Sequence, residues 1–177
     1  MTSHLGIKVI LTHNGIWSGN DPAMTRKMTS DRCRIRRAKP GDVPSLKAQE
    51  DRSFAHDRLS VRSLRLSIQS PSQTVLLLES NTGSLLGAAV LHFRIGSRKC
   101  RLYSIAVEAS GNGLGSILLS ACEKAARERG CLEMRLEART DRPRLIRFYE
   151  DRGFRRMGMK PSYYEDGSDA LIFAKPV

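Results

Sequence analysis

Residues 107–116 read VEASGNGLGS, with glycines at 111, 113 and 115 between a strand-like apolar run and a helix-like run. A glycine-rich turn that opens a helix exposes unpaired backbone N–H groups at the positive end of the helix dipole, and the missing side chains let a phosphate come close. The chemistry this suits is the holding of a pyrophosphate. A Walker A loop would need Gly-Lys-Ser/Thr, whereas Gly115 is followed by Ser116 and Ile117. A dinucleotide fingerprint starting at Gly113 would need a glycine at 118, where Leu118 stands, and its strand would come mid-chain in a non-Rossmann order. Glycines that serve only a tight turn or close packing are the alternative. Other reactive types do not assemble. His4, His13, His56 and His92 lack ligand spacing, and Cys33, Cys100, Cys122 and Cys131 show no CxxC or CxxxC pattern. No metal is implied, no disulfide framework is expected, and buried reduced thiols are.

The loop needs a strand before it and a helix after it, and the patterning supplies both. RLYSIAV (101–107) is a strand, and Leu114, Ile117, Leu118, Ala121, Cys122 and Ala125 fall at steps of three and four on a helix that stops at Gly130. CLEMRLEAR then alternates Leu132, Met134, Leu136 and Ala138 with Glu133, Arg135, Glu137 and Arg139, a period-two strand with one polar face. A second helix starts near Thr140 or Asp141, carries Pro143 in its first turn and ends at Gly153. Upstream, 34–39 predicts a strand, 42–54 and 60–69 helices, and TVLLLES with LLGAAVLHF (85–93) a hairpin turning at SNTGS. Strands over 154–162 and 169–175 flank an EDGSD turn. The order β-α-α-β-β-β-α-β-α-β-β implies an α/β (α+β) fold, a mixed sheet with helices on both faces.

The chain has 177 residues, 40% hydrophobic, enough for one domain, assigned to 34–177. Residues 1–33 show no sustained period, hold Met24 and Met28 as later candidate starts, and are expected to form a flexible tail. LGIKVIL is too short and carries Lys8, so no membrane span is expected. The formal charge of +12 favours partners with phosphates or carboxylates, yet acids are interleaved throughout, with no aromatic-interleaved basic stripe of a nucleic-acid binder. A soluble, cytoplasmic protein, monomeric or homodimeric, with no nucleic-acid or membrane partner is expected.

SIAV, GNGLGS, LEAR and RFYEDRGF together resemble the core motifs of the GNAT family of acetyl-CoA-dependent N-acetyltransferases, over about residues 34–177. The resemblance implies a mostly antiparallel sheet with a splayed parallel pair that holds acetyl-CoA. The backbone of Ile105, Ala106 and Val107 would take the pantetheine arm as an added strand, and Ser110, Gly111, Asn112, Gly113, Leu114, Gly115 and Ser116 the pyrophosphate. Ser110 stands where the family usually has Arg or Gln, the link from Val107 to the loop is about two residues shorter than is common, and Arg142 stands where it has an asparagine near the cofactor. Within the family the chain is most similar to bacterial ribosomal-protein N-terminal alanine acetyltransferases of the RimI type. That likeness implies Glu137 as general base, Tyr149 as general acid, and Tyr163 and Tyr164 of PSYYEDGSDAL at the peptide entrance. An amine must lose a proton before attacking a thioester, and a leaving thiolate departs better protonated, so a carboxylate and a phenol suit the chemistry. The bland readings are a solvated strand face for Glu137, core packing for Tyr149, and hairpin packing for the tyrosine pair. The acceptor implied is a protein or peptide N-terminus, with a small-molecule amine, or a non-catalytic acyl-CoA-binding module, as alternatives.

Overall fold

The computed structural model describes residues 8–11, 33–54, 58–109 and 111–177. In chain order they form β1 (Lys8–Leu11), β2 (Cys33–Arg37), a short 3-10 turn (Pro40–Asp42), α1 (Val43–Ser53), α2 (Val61–Gln69), β3 (Gln73–Ser80), β4 (Leu85–Phe93) and β5 (Lys99–Val107). There follow α3 (Leu114–Glu128), β6 (Glu133–Arg139), α4 (Pro143–Glu150), β7 (Arg155–Lys160) and β8 (Ala170–Pro176). One sheet runs β2-β3-β4-β5-β6-β8-β7. Its neighbours are antiparallel except β5 and β6, which are parallel. This is the mixed α/β fold expected, with helices on both faces. Six consecutive residues of β3, Thr74–Glu79, are buried, as they must be in a strand covered on both sides.

The parallel pair is the feature that matters for function. β5 and β6 pair only from Lys99–Arg101 to Glu133–Arg135. Beyond that point β5 stays with β4 and β6 stays with β8, so the two strands part and leave a wedge between them. Residues 1–33 carried no expected element, yet β1 lies in this wedge, parallel to β5, with Lys8 opposite Ser104 and Leu11 opposite Val107. The rest of the tail expected there, 1–7 and 12–32, falls outside the described residues.

α3 docks on the sheet through Leu114, Leu118, Leu119, Cys122, Ala125 and Ala126, all buried at helical spacing. The described cysteines are free thiols, and Cys100, Cys122 and Cys131 lie in the core. Burial, then neighbouring Cys131, pushes the Cys100 thiol up to about 12, which leaves it unreactive. At the far edge, Arg36 grips both oxygens of Asp42 (2.7 and 2.8 Å) and Glu79 (2.5 Å), tying β2 and β3 to the entry of α1. The hydrogen bonds from Arg36 hold both carboxyls below the usual range. The two outer strands are basic: β2 contains Arg34, Arg36 and Arg37, and β7 contains Arg155, Arg156 and Lys160.

Gly87 of β4 lets α3 sit close behind the wedge. A Cβ there would meet the Ala106 carbonyl oxygen at 2.9 Å, Val107 Cγ1 at 3.0 Å and Leu118 Cδ2 at 3.3 Å. Gly87→Ala is expected to destabilise the chain by about 1–3 kcal/mol, because backbone and packed core cannot both yield. Thermal denaturation checks this, and an unchanged Tm would show that α3 rides freely on the sheet.

Candidate functional site

β5 enters the glycine loop at Val107, and α3 leaves it at Leu114. Gly113 is the N-cap, left-handed at φ 83°, and Gly111 is left-handed at φ 88°. No side chain caps the helix. Ser116 and Ile117 donate their amides to the Gly113 carbonyl (3.0 and 3.1 Å), so the amides of Leu114 and Gly115 precede the first helical acceptor. A Cβ on Gly111 would meet nothing within 4 Å, which marks open space over the loop. Asn112 is half-buried, while Leu114 and Gly115 are buried. Ser110 lies outside the described residues.

Arg152, within RFYEDRGF but not singled out by sequence, reaches this helix start. It donates to the Ser116 hydroxyl and to the Phe148 carbonyl (2.9 Å), and its guanidinium stacks 3.7 Å over the Phe148 ring. Burial pulls its pKa down. A cation beside the positive end of a helix is poorly placed unless an anion joins it. Only the three-dimensional placement of the residues just after α4 beside the start of α3 reveals this; the spacing of 36 residues gives no sign of it.

Along β5 the backbone alternates. The Glu108 amide donates to Leu86 of the β4 side (2.8 Å), and the Ala106 carbonyl faces Gly87, so Ala106 directs its polar groups to β4. Ile105 and Val107 direct theirs to the wedge. Of the three residues expected along the pantetheine arm, these two have the right orientation, and Ala106 is engaged with β4. In this structure β1 pairs along that edge.

Glu137 sits on β6 where the wedge opens. Its side chain is 7% exposed, against the solvated face that alternation alone suggested. Oε1 accepts from Lys160 Nζ (2.8 Å) and Arg101 Nη2 (3.3 Å), which offset the cost of burying the charge, while Oε2 is buried with no hydrogen-bond partner among the described residues. The same Arg101 Nη2 donates to the Tyr163 hydroxyl (2.7 Å), and Lys160 Nζ lies 4.9 Å from the Tyr163 ring centre. Arg101 and Lys160 thus join Glu137 and Tyr163, four residues from β5, β6, β7 and the β7–β8 turn that no local motif connects.

Tyr149 on α4 is fully buried against Phe148, Phe154 and Phe173, and its hydroxyl makes no hydrogen bond among the described residues. Burial raises its pKa well above that of an ordinary phenol, so it stays protonated. Phe173 is the cross-strand partner of Leu136 and shares its face, whereas Glu137, next along β6, points to the other face. Glu137 and Tyr149 therefore lie on opposite faces of the sheet, and the wedge is the place where both faces are open to one molecule. An unpartnered buried polar atom costs about 1–3 kcal/mol, and each of these residues carries one. Together with the open glycine loop, this fits a ligand threaded through the wedge.

Arg142 caps α4 at its N-terminus and lies 3.8 Å from Asp141, more than half exposed. It makes no contact with the glycine loop among the hydrogen bonds and ion pairs described. Tyr163 is half-buried and Tyr164 buried, their rings edge-on at 5.3 Å in the β7–β8 turn. Arg139 lies 4.8 Å over the Tyr164 ring and binds Asp141 (3.0 Å) and Asp166 (2.6 Å), pinning the turn to β6. Among the described residues no cluster of three metal-binding side chains occurs, and no helix is long and apolar enough to cross a membrane.

The sequence pattern of the Acetyltransferase (GNAT) family matches residues 43–154. No curated protein sequence matches. Among solved structures, the chain is similar to the ribosomal-protein-S18-alanine N-acetyltransferase from Escherichia coli at 27% identity and a TM-score of 0.73, over 82% of this chain and 94% of that one. It is similar to Ard1 from Thermoplasma volcanium at 31% identity and a TM-score of 0.72, over 82% and 98%. The spermidine/spermine N-acetyltransferase SpeG from Vibrio cholerae shares the fold at 16% identity and a TM-score of 0.71, over 82% and 93%.

Hydrogen bonds from Arg139 depress the pKa of both Asp141 and Asp166. A carboxyl depressed on folding stabilises the chain above its unfolded pKa, near 4, and that contribution fades as pH falls towards the folded value. Urea denaturation should therefore show a stability gap between the natural chain and Asp166→Asn that is full at neutral pH and shrinks below about pH 4. A gap independent of pH would remove the ion pair as its source.

Proposed function

This chain belongs to the GNAT family of acetyltransferases, and on that premise we propose that it moves an acetyl group from acetyl-CoA to the free α-amine of a protein or peptide. The observation that carries the assignment of roles is the pair of unpartnered buried polar atoms, Glu137 Oε2 and Tyr149 Oη, on either side of the β5–β6 wedge. The family uses acetyl-CoA, whose thioester supplies an activated acetyl group when bound. Gly111–Gly115 offer backbone amides to its pyrophosphate, and Arg152, beside the Ser116 hydroxyl, adds the cation that Ser110 does not. Ile105 and Val107 hold its amide-bearing arm by strand addition.

Glu137 Oε2 takes the proton from the acceptor ammonium, leaving a neutral amine free to attack. Tyr149, kept neutral by its burial, gives its hydroxyl proton to the departing thiolate. Tyr163, held by Arg101 beside Glu137, lines the acceptor entrance, and buried Tyr164 supports it from behind. Charge selects the acceptor. Arg101 and Lys160 flank the carboxylate, a field that repels a polyamine with several positive charges more than a peptide with one. An α-amine also has a pKa near 8 against about 10.4 for lysine, so neutralising it costs roughly 3 kcal/mol less.

Release of CoA thiol is the test. kcat/KM for a short peptide with a free N-terminus is expected to exceed that for its N-blocked lysine counterpart and for spermidine; the reverse order would remove the N-terminal reading. Glu137→Gln should lose about 10²–10⁴-fold at neutral pH and recover towards high pH, where the amine is already neutral. Tyr149→Phe should lower kcat with little change in acetyl-CoA affinity. Unchanged pH–rate profiles in both variants would overturn the two roles.

A further inference from the structure

β1 occupies the place where a bound cofactor arm would run. The four residues Lys8–Leu11 pair with Ser104–Val107, in the stretch where β6 has parted from β5. Ile105 and Val107 turn their N–H and C=O groups into the wedge, because Glu108 and Ala106 turn theirs to β4. Both residues are fully buried, and buried backbone polar groups require partners. Two candidates exist for one set of groups: the backbone of β1, and an extended ligand carrying amides.

We propose that Lys8–Leu11 is a built-in competitor of the cofactor, a strand that docks on Ile105 and Val107 in the cofactor-free chain and must leave before acetyl-CoA can seat. The proposal rests on the placement of the cofactor arm along β5 given above. KVIL suits the role: Val9 and Ile10 are β-branched and favour an extended backbone, and four residues match the length of the wedge edge from Ser104 to Val107. Twenty-one residues, 12–32, separate β1 from β2 in the sequence. Being part of the same chain, the segment acts at an effective concentration on the order of millimolar. Apparent affinity for acetyl-CoA falls by the fraction of molecules in which the wedge is open.

The full-length chain and its Val9→Pro/Ile10→Pro variant separate the possibilities. Two successive prolines remove both N–H groups, so a ladder donor is lost whichever of them faces β5. Two readouts are taken: amide hydrogen exchange without cofactor, and acetyl-CoA binding by calorimetry. In the variant, the Ile105 and Val107 amides should exchange faster while those of Ala106 and Glu108, bonded to β4, stay unchanged, and acetyl-CoA should bind about tenfold more tightly. Equal affinity in the two chains would overturn the competition and leave the cofactor placement standing. Faster exchange at Ile105 and Val107 with no binding of acetyl-CoA by either chain would overturn the cofactor placement and the competition together. Unchanged exchange at these amides would show that β1 does not dock, and would overturn the proposal by itself.

Discussion

Two adjacent strands that cease to bond to each other leave buried backbone donors and acceptors that must find partners elsewhere. Everything functional in this chain is arranged around that constraint. β5 is held along its full length by β4 and β6 by β8, so the parting is fixed by pairing on the outer sides. Gly87 keeps α3 close behind the opening, and α3 in turn begins at the loop that follows β5. The wedge, the anion-ready helix start and the acceptor side are therefore set by one topology rather than by three separate devices. An extended, amide-bearing molecule can satisfy the wedge, and so can a short strand of protein, which is why the proposed cofactor arm and β1 compete for the same edge.

The buried charge network follows from the same geometry. A carboxylate placed where two strands diverge cannot be reached fully by water, and Glu137 is stabilised by Arg101 from β5 and Lys160 from β7. These cations engage Oε1 and leave Oε2 without a partner. On the opposite face, Tyr149 is wedged among three phenylalanines with its hydroxyl unpartnered. Structures without a polar task at such points bury apolar groups there, since an unsatisfied donor or acceptor weakens the fold.

Much of the frame was legible because it rests on local periods. The apolar run LLGAAVLHF after the SNTGS turn matched β4 with its bounds, and the three-and-four spacing after Gly113 matched α3 from its first residue. The site was less so. Alternation put Glu137 on a polar face with Glu133, and nothing local distinguishes the buried glutamate from the half-buried one; the difference comes from Lys160 and Arg101, which are 23 and 36 residues away. Arg152 was invisible for the same reason. β1 was missed because four residues are too few to show a period, and its pairing with β5 spans nearly a hundred residues. The glycine loop, in contrast, could be read directly, since positive φ at Gly111 and Gly113 is a demand that the residue type itself announces.

The excess of positive charge has a reading in the sheet itself. Both outer strands, β2 with Arg34, Arg36 and Arg37 and β7 with Arg155, Arg156 and Lys160, have one edge with no strand beside it among the described residues. Edge-on approach of two copies brings arginine against arginine, and the backbone attraction meets like-charge repulsion before hydrogen bonds can form. The guard depends on ionic strength: charges that oppose one another across roughly 10 Å at 0.1 M salt are screened beyond roughly 3 Å at 1 M. Raising the salt weakens that repulsion, and the basic surface that looks like an invitation to anions also opposes edge-to-edge pairing of two copies.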